Sequence, residues 1–129
     1  MKIIQPEGWP APKGFSNAIL AKGRSLWVAG QVGWDAKGVF APDLVGQVEL
    51  TLKNIVAILQ AGGARPEQIV RMDWFMTDLA DYRSKAREIG AVYRAVIGRH
   101  FPAMTAVQVV ALVEPKALVE IEVTAVLPD

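Results

Sequence analysis

The sequence predicts a two-layer α+β domain, in which a β-sheet of about five strands carries two helices on one face. The prediction depends on the order of the elements along the chain, β-β-α-β-α-β-β. It also depends on two amphipathic helices, each with one apolar face to bury, and on alternation of apolar and polar residues in the last strand. Because 129 residues correspond to one domain by length, we expect a single domain over residues 1–129.

The composition excludes several classes of function. Hydrophobic residues make up 52% of the chain and charged residues 21%, which excludes a disordered protein. The formal net charge of +1 provides no general attraction to nucleic acid or to an anionic membrane surface. There is no Cys, so disulfides, thiolate nucleophiles and Cys-based metal sites are ruled out. No apolar run is long enough for a signal peptide or a membrane span, and we therefore expect a soluble cytoplasmic protein.

The first part of the chain predicts a β-hairpin. An extended entry, residues 5–14, is rich in Pro and Gly. Residues 17–22 and 25–30 are then typical of two short strands joined by a tight turn at Lys22-Gly23-Arg24. Gly30 and Gly33 follow, and we expect there either unusual backbone angles or a close approach by another part of the structure.

Two helices are predicted from apolar residues that recur at helical spacing. The first begins at Pro42-Asp43 and ends at Gly62-Gly63. The second begins near Thr77 or Asp78, either of which can cap it, and ends at Gly98.

The remaining strands are predicted within residues 68–78, 104–113 and 118–127. In the last of them, alternation places Glu120 and Glu122 on the face opposite the apolar residues that pack beneath the helices. Two acids at this spacing are usually no more than a solvated face. The functional alternative is that one of them orients or activates a water molecule.

Other residue types that carry chemistry give no site. His100 is the only His, and it lies at the predicted exit of a helix, where a cation complements the helix dipole. One His without Cys does not make a zinc site, and no metal is expected. No Ser has a neighbouring base or elbow motif, and Gly30-x-x-Gly33 is not followed by the helix start and Lys of a phosphate loop.

Taken in order, six motifs make the chain resemble the reactive-intermediate deaminase family (Rid, or YjgF-like), almost from end to end. They are Lys13-Gly14-Phe15-Ser16-Asn17-Ala18, Val28-Ala29-Gly30-Gln31, Leu52-Lys53-Asn54-Ile55 with its glycine stop, Phe75-Met76-Thr77-Asp78-Leu79, Phe101-Pro102-Ala103 and Val119-Glu120-Ile121-Glu122.

The resemblance implies a chorismate-mutase-like fold with a mixed sheet, and a homotrimer with clefts between subunits. It implies that the last two strands are not hairpin partners, and that the final strand lies between the first strand and the strand before the second helix. Well-characterised members hydrolyse enamine and imine intermediates released by pyridoxal-phosphate enzymes, yielding 2-oxo acids and ammonia without a cofactor. In the family, an Arg directly after Phe-Pro-Ala binds the substrate carboxylate.

This chain departs from that pattern at two positions, because Met104 stands where the family has the Arg and Phe15 where it has a Tyr. Glu120, which in the family is thought to place the attacking water, is retained, as is Gly30. We therefore expect Glu120 to be catalytic and a substrate pocket, made more apolar by Trp34 and Trp74, to be lined by Phe15, Gly30, Gln31, Trp74 and Met104.

Two hypotheses remain open at this point. The first is a deaminase of an imine or enamine metabolite other than the usual small 2-imino acids. The second is a non-catalytic small-molecule-binding or regulatory trimer that uses the same cleft, with an apolar pocket that contains no cation. The expected partners are further copies of the chain and a small-molecule metabolite, with no nucleic acid and no membrane. A ribonuclease, an activity sometimes attached to this family, is disfavoured by the net charge of +1 and the single His.

Overall fold

The computed structural model of the chain describes residues 1–129 and contains six strands and three helices. The strands are β1 (Lys2–Ile4), β2 (Ala18–Leu20), β3 (Arg24–Val32), β4 (Ile69–Met76), β5 (Ala103–Gln108) and β6 (Val119–Leu127). The helices are α1 (Leu44–Ala61), α2 (Leu79–Ser84) and α3 (Ala86–Val96). A short 3-10 turn at Pro66–Gln68 leads into β4.

The main sheet has four strands in the order β3-β6-β4-β5. The final strand β6 runs antiparallel to both β3 and β4, whereas β5 is parallel to β4. The sheet is therefore mixed, and the last two strands are not hairpin partners, as the resemblance implied. One neighbour of β6 is the strand before the second predicted helix, as expected. Its other neighbour is β3 and not the strand predicted at residues 17–22.

The hairpin predicted between β2 and β3 is wrong. The short strand β2 pairs with β1, from Lys2↔Leu20 to Ile4↔Ala18, in a separate two-stranded sheet. Gly23, which suggested the turn, is needed for a different reason. It has φ +148°, and a Cβ added there would overlap the carbonyl of Leu127 at the end of β6. The glycine thus permits a long-range strand pairing instead of a local one.

The first predicted helix is confirmed, since the Asp43 side chain accepts a hydrogen bond of 2.9 Å from the Gly46 N–H and caps α1. The second is divided into α2 and α3, with a break at Lys85. The Ser84 hydroxyl donates to the Asp81 carbonyl (2.8 Å), and the Lys85 ammonium binds the Asp81 carboxylate (2.7 Å). The Ser84 side chain, by binding nearby backbone, competes with a continuous helix at this point.

The core lies between the helices and one side of the sheet, here called the helix face. Completely buried members of this core are Leu52, Ile55 and Leu59 of α1, Met72 and Met76 of β4, and Ile121 of β6. Burial of each such side chain contributes roughly 1.5–3 kcal/mol. The two-layer α+β prediction is therefore confirmed, with three helices in place of two and four strands in the main sheet in place of about five.

The opposite side of the sheet, here called the outer face, has no helix over it. Trp27 of β3 lies there with 77% of its surface exposed. Arg71 bridges Asp73 and Thr105 across this face, at 2.7 Å and 2.8 Å. None of the helices is both long enough and apolar enough to cross a lipid bilayer.

Candidate functional site

A cavity of about 400 Å³ lies between the helix face at β4 and β5 and the helices α2 and α3, and it is here called the aromatic cavity. Nine of its thirteen lining residues are hydrophobic. Five of those that line it are aromatic, namely Phe15, Trp74, Tyr82, Tyr93 and Phe101. Its size is within the range of small-molecule sites, which are about 300–1,000 Å³.

Strand register brings the floor of the aromatic cavity together. Because β4 and β5 are parallel with Met72 opposite Met104 and Trp74 opposite Ala106, these four side chains share the helix face. Trp74 contacts Tyr82 edge-on, with ring centroids 6.3 Å apart. Tyr93 stacks on Phe101 at 5.5 Å. Pairs of this kind add about 0.5–1.5 kcal/mol beyond their buried area, and they hold the wall rigid.

Tyr93 is a structural part of the wall. Its hydroxyl donates to the His100 carbonyl (2.6 Å) and lies 3.8 Å from the Met72 sulfur. Burial raises the pKa of the Tyr93 phenol well above its usual value, so that it stays neutral at physiological pH. The ring nitrogen Nε2 of His100 in turn lies 2.7 Å from the Ile69 carbonyl, in agreement with the structural interpretation of this residue.

Ser16 positions the loop that carries Phe15. Its backbone N–H donates to the Pro102 carbonyl (3.0 Å), and its hydroxyl donates to the Phe101 carbonyl. Two motifs that are far apart in the sequence are thereby joined, and Phe15 lies half-exposed at the mouth of the aromatic cavity beside Phe101. Phe15, Trp74 and Met104 all line the aromatic cavity.

Two cations also line this cavity, and sequence reasoning missed both. Lys13 lies in the same loop as Phe15, and Arg94 follows Tyr93 on α3. The expectation of a pocket without a cation is therefore wrong. The place of Lys13 in the same motif as Phe15 could have shown that it lies near the pocket. The position of Arg94 could not be found in this way, because it depends on how α3 is rotated against the sheet.

Glu120 lies on the outer face, away from the aromatic cavity. It is paired with Phe75 of β4 and Val32 of β3. Its carboxylate occupies the space beside Gly30, where an added Cβ would overlap it. The sequence predicted either unusual backbone angles or a close approach at the two glycines. The structure shows a close approach at both, since a Cβ at Gly33 would overlap Gln47 of α1.

Gln31 lies apart both from the aromatic cavity and from the Gly30–Glu120 pair. A register shift between Val28 and Gln31 turns Gln31 to the helix face, opposite Ile121. There it lines a separate cavity of about 480 Å³ with Trp34 and Asn54. Asn54 holds this region in place by donating to the carbonyls of Val32 (3.1 Å) and Trp34 (2.9 Å). Trp34 packs on Phe40 with ring centroids 5.3 Å apart. It does not line the aromatic cavity, contrary to the expectation from the sequence.

Within one chain, therefore, the predicted site residues form three groups. Phe15, Trp74 and Met104 meet on the helix face, Gly30 and Glu120 meet on the outer face, and Gln31 lies alone. Since β4 separates β6 from β5, Glu120 and Met104 are about 10 Å apart across the strands as well as on opposite faces. No three acidic or imidazole side chains converge in a way that could hold a metal ion.

The sheet is mixed, its last strand in sequence, β6, lies between β3 and β4, and helices cover one face. This arrangement is that of the YjgF-like α+β proteins, and comparisons with known proteins agree. A sequence model of the Endoribonuclease L-PSP family matches residues 8–127. A solved structure of a Rid-family protein of unknown function from Yersinia pestis is 35% identical, with a TM-score of 0.82 over 98% of both chains.

Two curated relatives match over nearly their whole length. A RutC family protein of Synechocystis is 34% identical, over 99% of this chain and 98% of the relative. A 2-iminobutanoate/2-iminopropanoate deaminase of Salmonella typhimurium is also 34% identical, over 97% of each chain. The chain belongs to the Rid family, which is the same family as the L-PSP and YjgF-like proteins.

Proposed function

We propose that this protein is a cofactor-independent deaminase that hydrolyses a reactive imine or enamine metabolite bulkier than the usual small 2-imino acids. The observation that carries the proposal is the aromatic cavity, which has Met104 at the position of the family's carboxylate-binding Arg, together with a retained Glu120. Relatives named 2-iminobutanoate/2-iminopropanoate deaminase match the chain over almost its full length, which supports the reaction class.

The proposed site is a cleft between copies of the chain. Glu120 and Gly30 face one side of the sheet, and Phe15, Trp74 and Met104 face the other. A water held by Glu120 can reach a ligand in the aromatic cavity only if the cavity belongs to a neighbouring copy. A contact between two different surfaces of one chain closes as a ring when the rotation from copy to copy closes, and otherwise continues as a filament. We propose that the ring is a homotrimer, as the family resemblance implies.

Exposed apolar side chains support an assembly of this kind. Trp27 is 77% exposed on the outer face. Val110 and Val113, in the segment between β5 and β6, are almost fully exposed as well. We propose that further copies of the chain cover these side chains, since apolar surface on a small domain is stabilised by burial against another protein.

The proposed reaction adds water across the carbon–nitrogen double bond. Glu120 accepts a proton from the water as the water oxygen bonds to the imine carbon, and it returns this proton to the imine nitrogen to give a carbinolamine. The hydroxyl proton of the carbinolamine is then passed through Glu120 to the nitrogen as the carbon–nitrogen bond breaks, so that ammonia leaves, a carbonyl compound forms and the carboxylate is regenerated. Imine and water are thus converted to carbonyl compound and ammonia with no cofactor. A positioned general base of this kind contributes typically 10²–10⁴-fold to the rate.

Met104 is proposed to select the substrate. A thioether cannot form the charge-assisted pair that a guanidinium forms with a carboxylate. Its side chain instead adds apolar surface beside Trp74 and Phe101. The cavity therefore favours an imine with an apolar or aromatic side chain over 2-iminopropanoate.

The test is a pair of matched variants, Glu120→Gln and Glu122→Gln, whose side chains project from the same face of β6 two residues apart. Imines are generated in place by an amino-acid oxidase from alanine, leucine or phenylalanine, and ammonia release is followed, with assembly measured by light scattering. We expect hydrolysis of the bulkier imines that falls at least 10²-fold in Glu120→Gln and is unchanged in Glu122→Gln. Ligand binding with no turnover in the wild-type trimer would instead support a non-catalytic binding protein.

A further inference from the structure

We propose that Lys13 and Arg94 form an anion-binding mouth on the aromatic cavity, so that the ligand joins a carboxylate to an apolar or aromatic body. This inference rests on the proposed function for its choice of cavity. It adds that the negative group is bound at the rim of the cavity and not at Met104.

The charge at the mouth is uncompensated. All side chains that line the aromatic cavity are neutral apart from Lys13 and Arg94. The four ion pairs of the chain use other cations, Lys53, Arg65, Arg71 and Lys85. Neither Lys13 nor Arg94 donates a side-chain hydrogen bond within the chain. Two free cations above an apolar cavity attract an anion, and the low-dielectric wall strengthens that attraction.

Gly90 lets the Arg94 side chain extend over the wall. The two residues are one helical turn apart on α3, and both line the cavity. A Cβ added at Gly90 would lie 3.2 Å from the Nη1 atom of Arg94. The guanidinium therefore lies against α3, where a larger residue at position 90 would crowd it.

Trp74, on the floor of the cavity, carries a further unsatisfied donor. Its indole Nε1–H is buried and has no acceptor in the chain, and it is the one buried side-chain polar atom in this condition. Such a donor is costly to leave unpaired, because burial removes its bonds to water. The unpaired cations and this unpaired donor belong to residues that line one cavity, and both are groups that an oxygen-bearing ligand pairs with.

The geometry separates the two ends of the ligand. Arg94 lies on the helix that forms one wall, whereas Met104 and Trp74 lie on the strands of the floor. A carboxylate held by Arg94 and Lys13 directs the rest of the molecule toward Met104, Trp74 and Phe101. A cavity of about 400 Å³ leaves room there for a ring or a branched chain.

The experiment compares two probes of similar shape, phenylpyruvate and the neutral ketone 1-phenyl-2-propanone, by isothermal titration calorimetry on the full chain. The variants are Arg94→Gln and Lys13→Gln, with Arg87→Gln as the control, since Arg87 is exposed on α3 but does not line the cavity. For phenylpyruvate we expect Kd to rise about tenfold in Arg94→Gln and severalfold in Lys13→Gln, with no change in Arg87→Gln. Binding of phenylpyruvate should weaken with added salt. Binding of the ketone should be unchanged by salt and by loss of the positive charge in either variant.

Equal affinity for the two probes, no binding of phenylpyruvate, or an unchanged Kd in Arg94→Gln would each overturn the anion-binding mouth. The outcome is independent of the deaminase proposal. If phenylpyruvate binds through Arg94 but no imine is hydrolysed, the mouth stands and the deaminase fails. If bulky imines are hydrolysed with a KM that is the same in wild type and Arg94→Gln, the deaminase stands and the mouth fails.

Discussion

The Glu120 carboxylate fills the space that a side chain at position 30 would occupy, so Gly30 and Glu120 form one unit across β3 and β6. The absence of a Cβ at Gly30 is what lets the carboxylate lie flat against the neighbouring strand on the outer face. This relationship gives a physical reason for both residues, whichever chemistry the carboxylate performs.

Gly30→Ala should displace the Glu120 carboxylate without unfolding the protein. The overlap is with the far end of a flexible side chain, which can move aside at a cost of roughly 1 kcal/mol. A misplaced catalytic group can cost about 10²-fold in rate. We therefore expect a large loss of imine hydrolysis and a small change in urea midpoint. If Gly30→Ala has no further effect in a Glu120→Gln background, the two residues act as a unit; additive losses would contradict this.

Gly33→Ala should be the more destabilising substitution of the two. A Cβ at position 33 would overlap the backbone and Cβ of Gln47, which lie within α1 and cannot move independently. We expect a loss of about 2–3 kcal/mol in free energy of unfolding, measured by urea denaturation. Gly30→Ala is the matched control, and an equal loss in both variants would refute the distinction between backbone and side-chain contacts.

Met104→Arg should create turnover of 2-iminopropanoate. The new guanidinium would lie on the helix face beside Trp74, where it can form a bidentate pair with a substrate carboxylate. We expect a rise in kcat/KM of at least tenfold for this substrate, measured by ammonia release. Met104→Leu conserves the volume and serves as the control. No gain in Met104→Arg, in a variant that still assembles as the wild type does, would mean that more than the anchor has diverged.

Tyr93→Phe should destabilise the protein at neutral pH by about 1 kcal/mol, because the His100 carbonyl loses its hydrogen bond. The difference should shrink above about pH 10, the usual pKa of Tyr. Burial raises the pKa of Tyr93 in the folded state, so at high pH the unfolded chain ionises first and folding stability falls. Stability from the neutral phenol is therefore present below about pH 10 and lost above it.

Paired urea titrations of wild type and Tyr93→Phe between pH 7 and 12 measure this difference directly. All other residues are common to the two proteins, so their contribution to the difference cancels. A constant difference across that range would show that ionisation of Tyr93 is not linked to folding.

Local patterns predicted the elements well and their pairing poorly. The apolar spacing and the Asp43 cap were enough to place α1, since both act within a few residues of the chain. The turn at Gly23 was equally visible, but its partner is Leu127, more than a hundred residues away, and no local signal contains that contact. The division of the second helix at Lys85 was missed because Asp81, Ser84 and Lys85 all have ordinary helix-compatible positions in the sequence.

The sequence by itself determined the family and the two-layer architecture, because motifs and periodicity are properties of the order of residues. It also predicted two departures from the family pattern, Met104 and Phe15. The tertiary structure alone decided that Met104 and Glu120 lie on opposite faces of the sheet and that Arg94 and Lys13 reach the aromatic cavity. The physical reason is that a side chain's direction follows from strand register and helix rotation. Strand register and helix rotation are fixed by packing between segments that are distant in the sequence. The sequence of one strand or one helix, taken alone, carries no information on that packing.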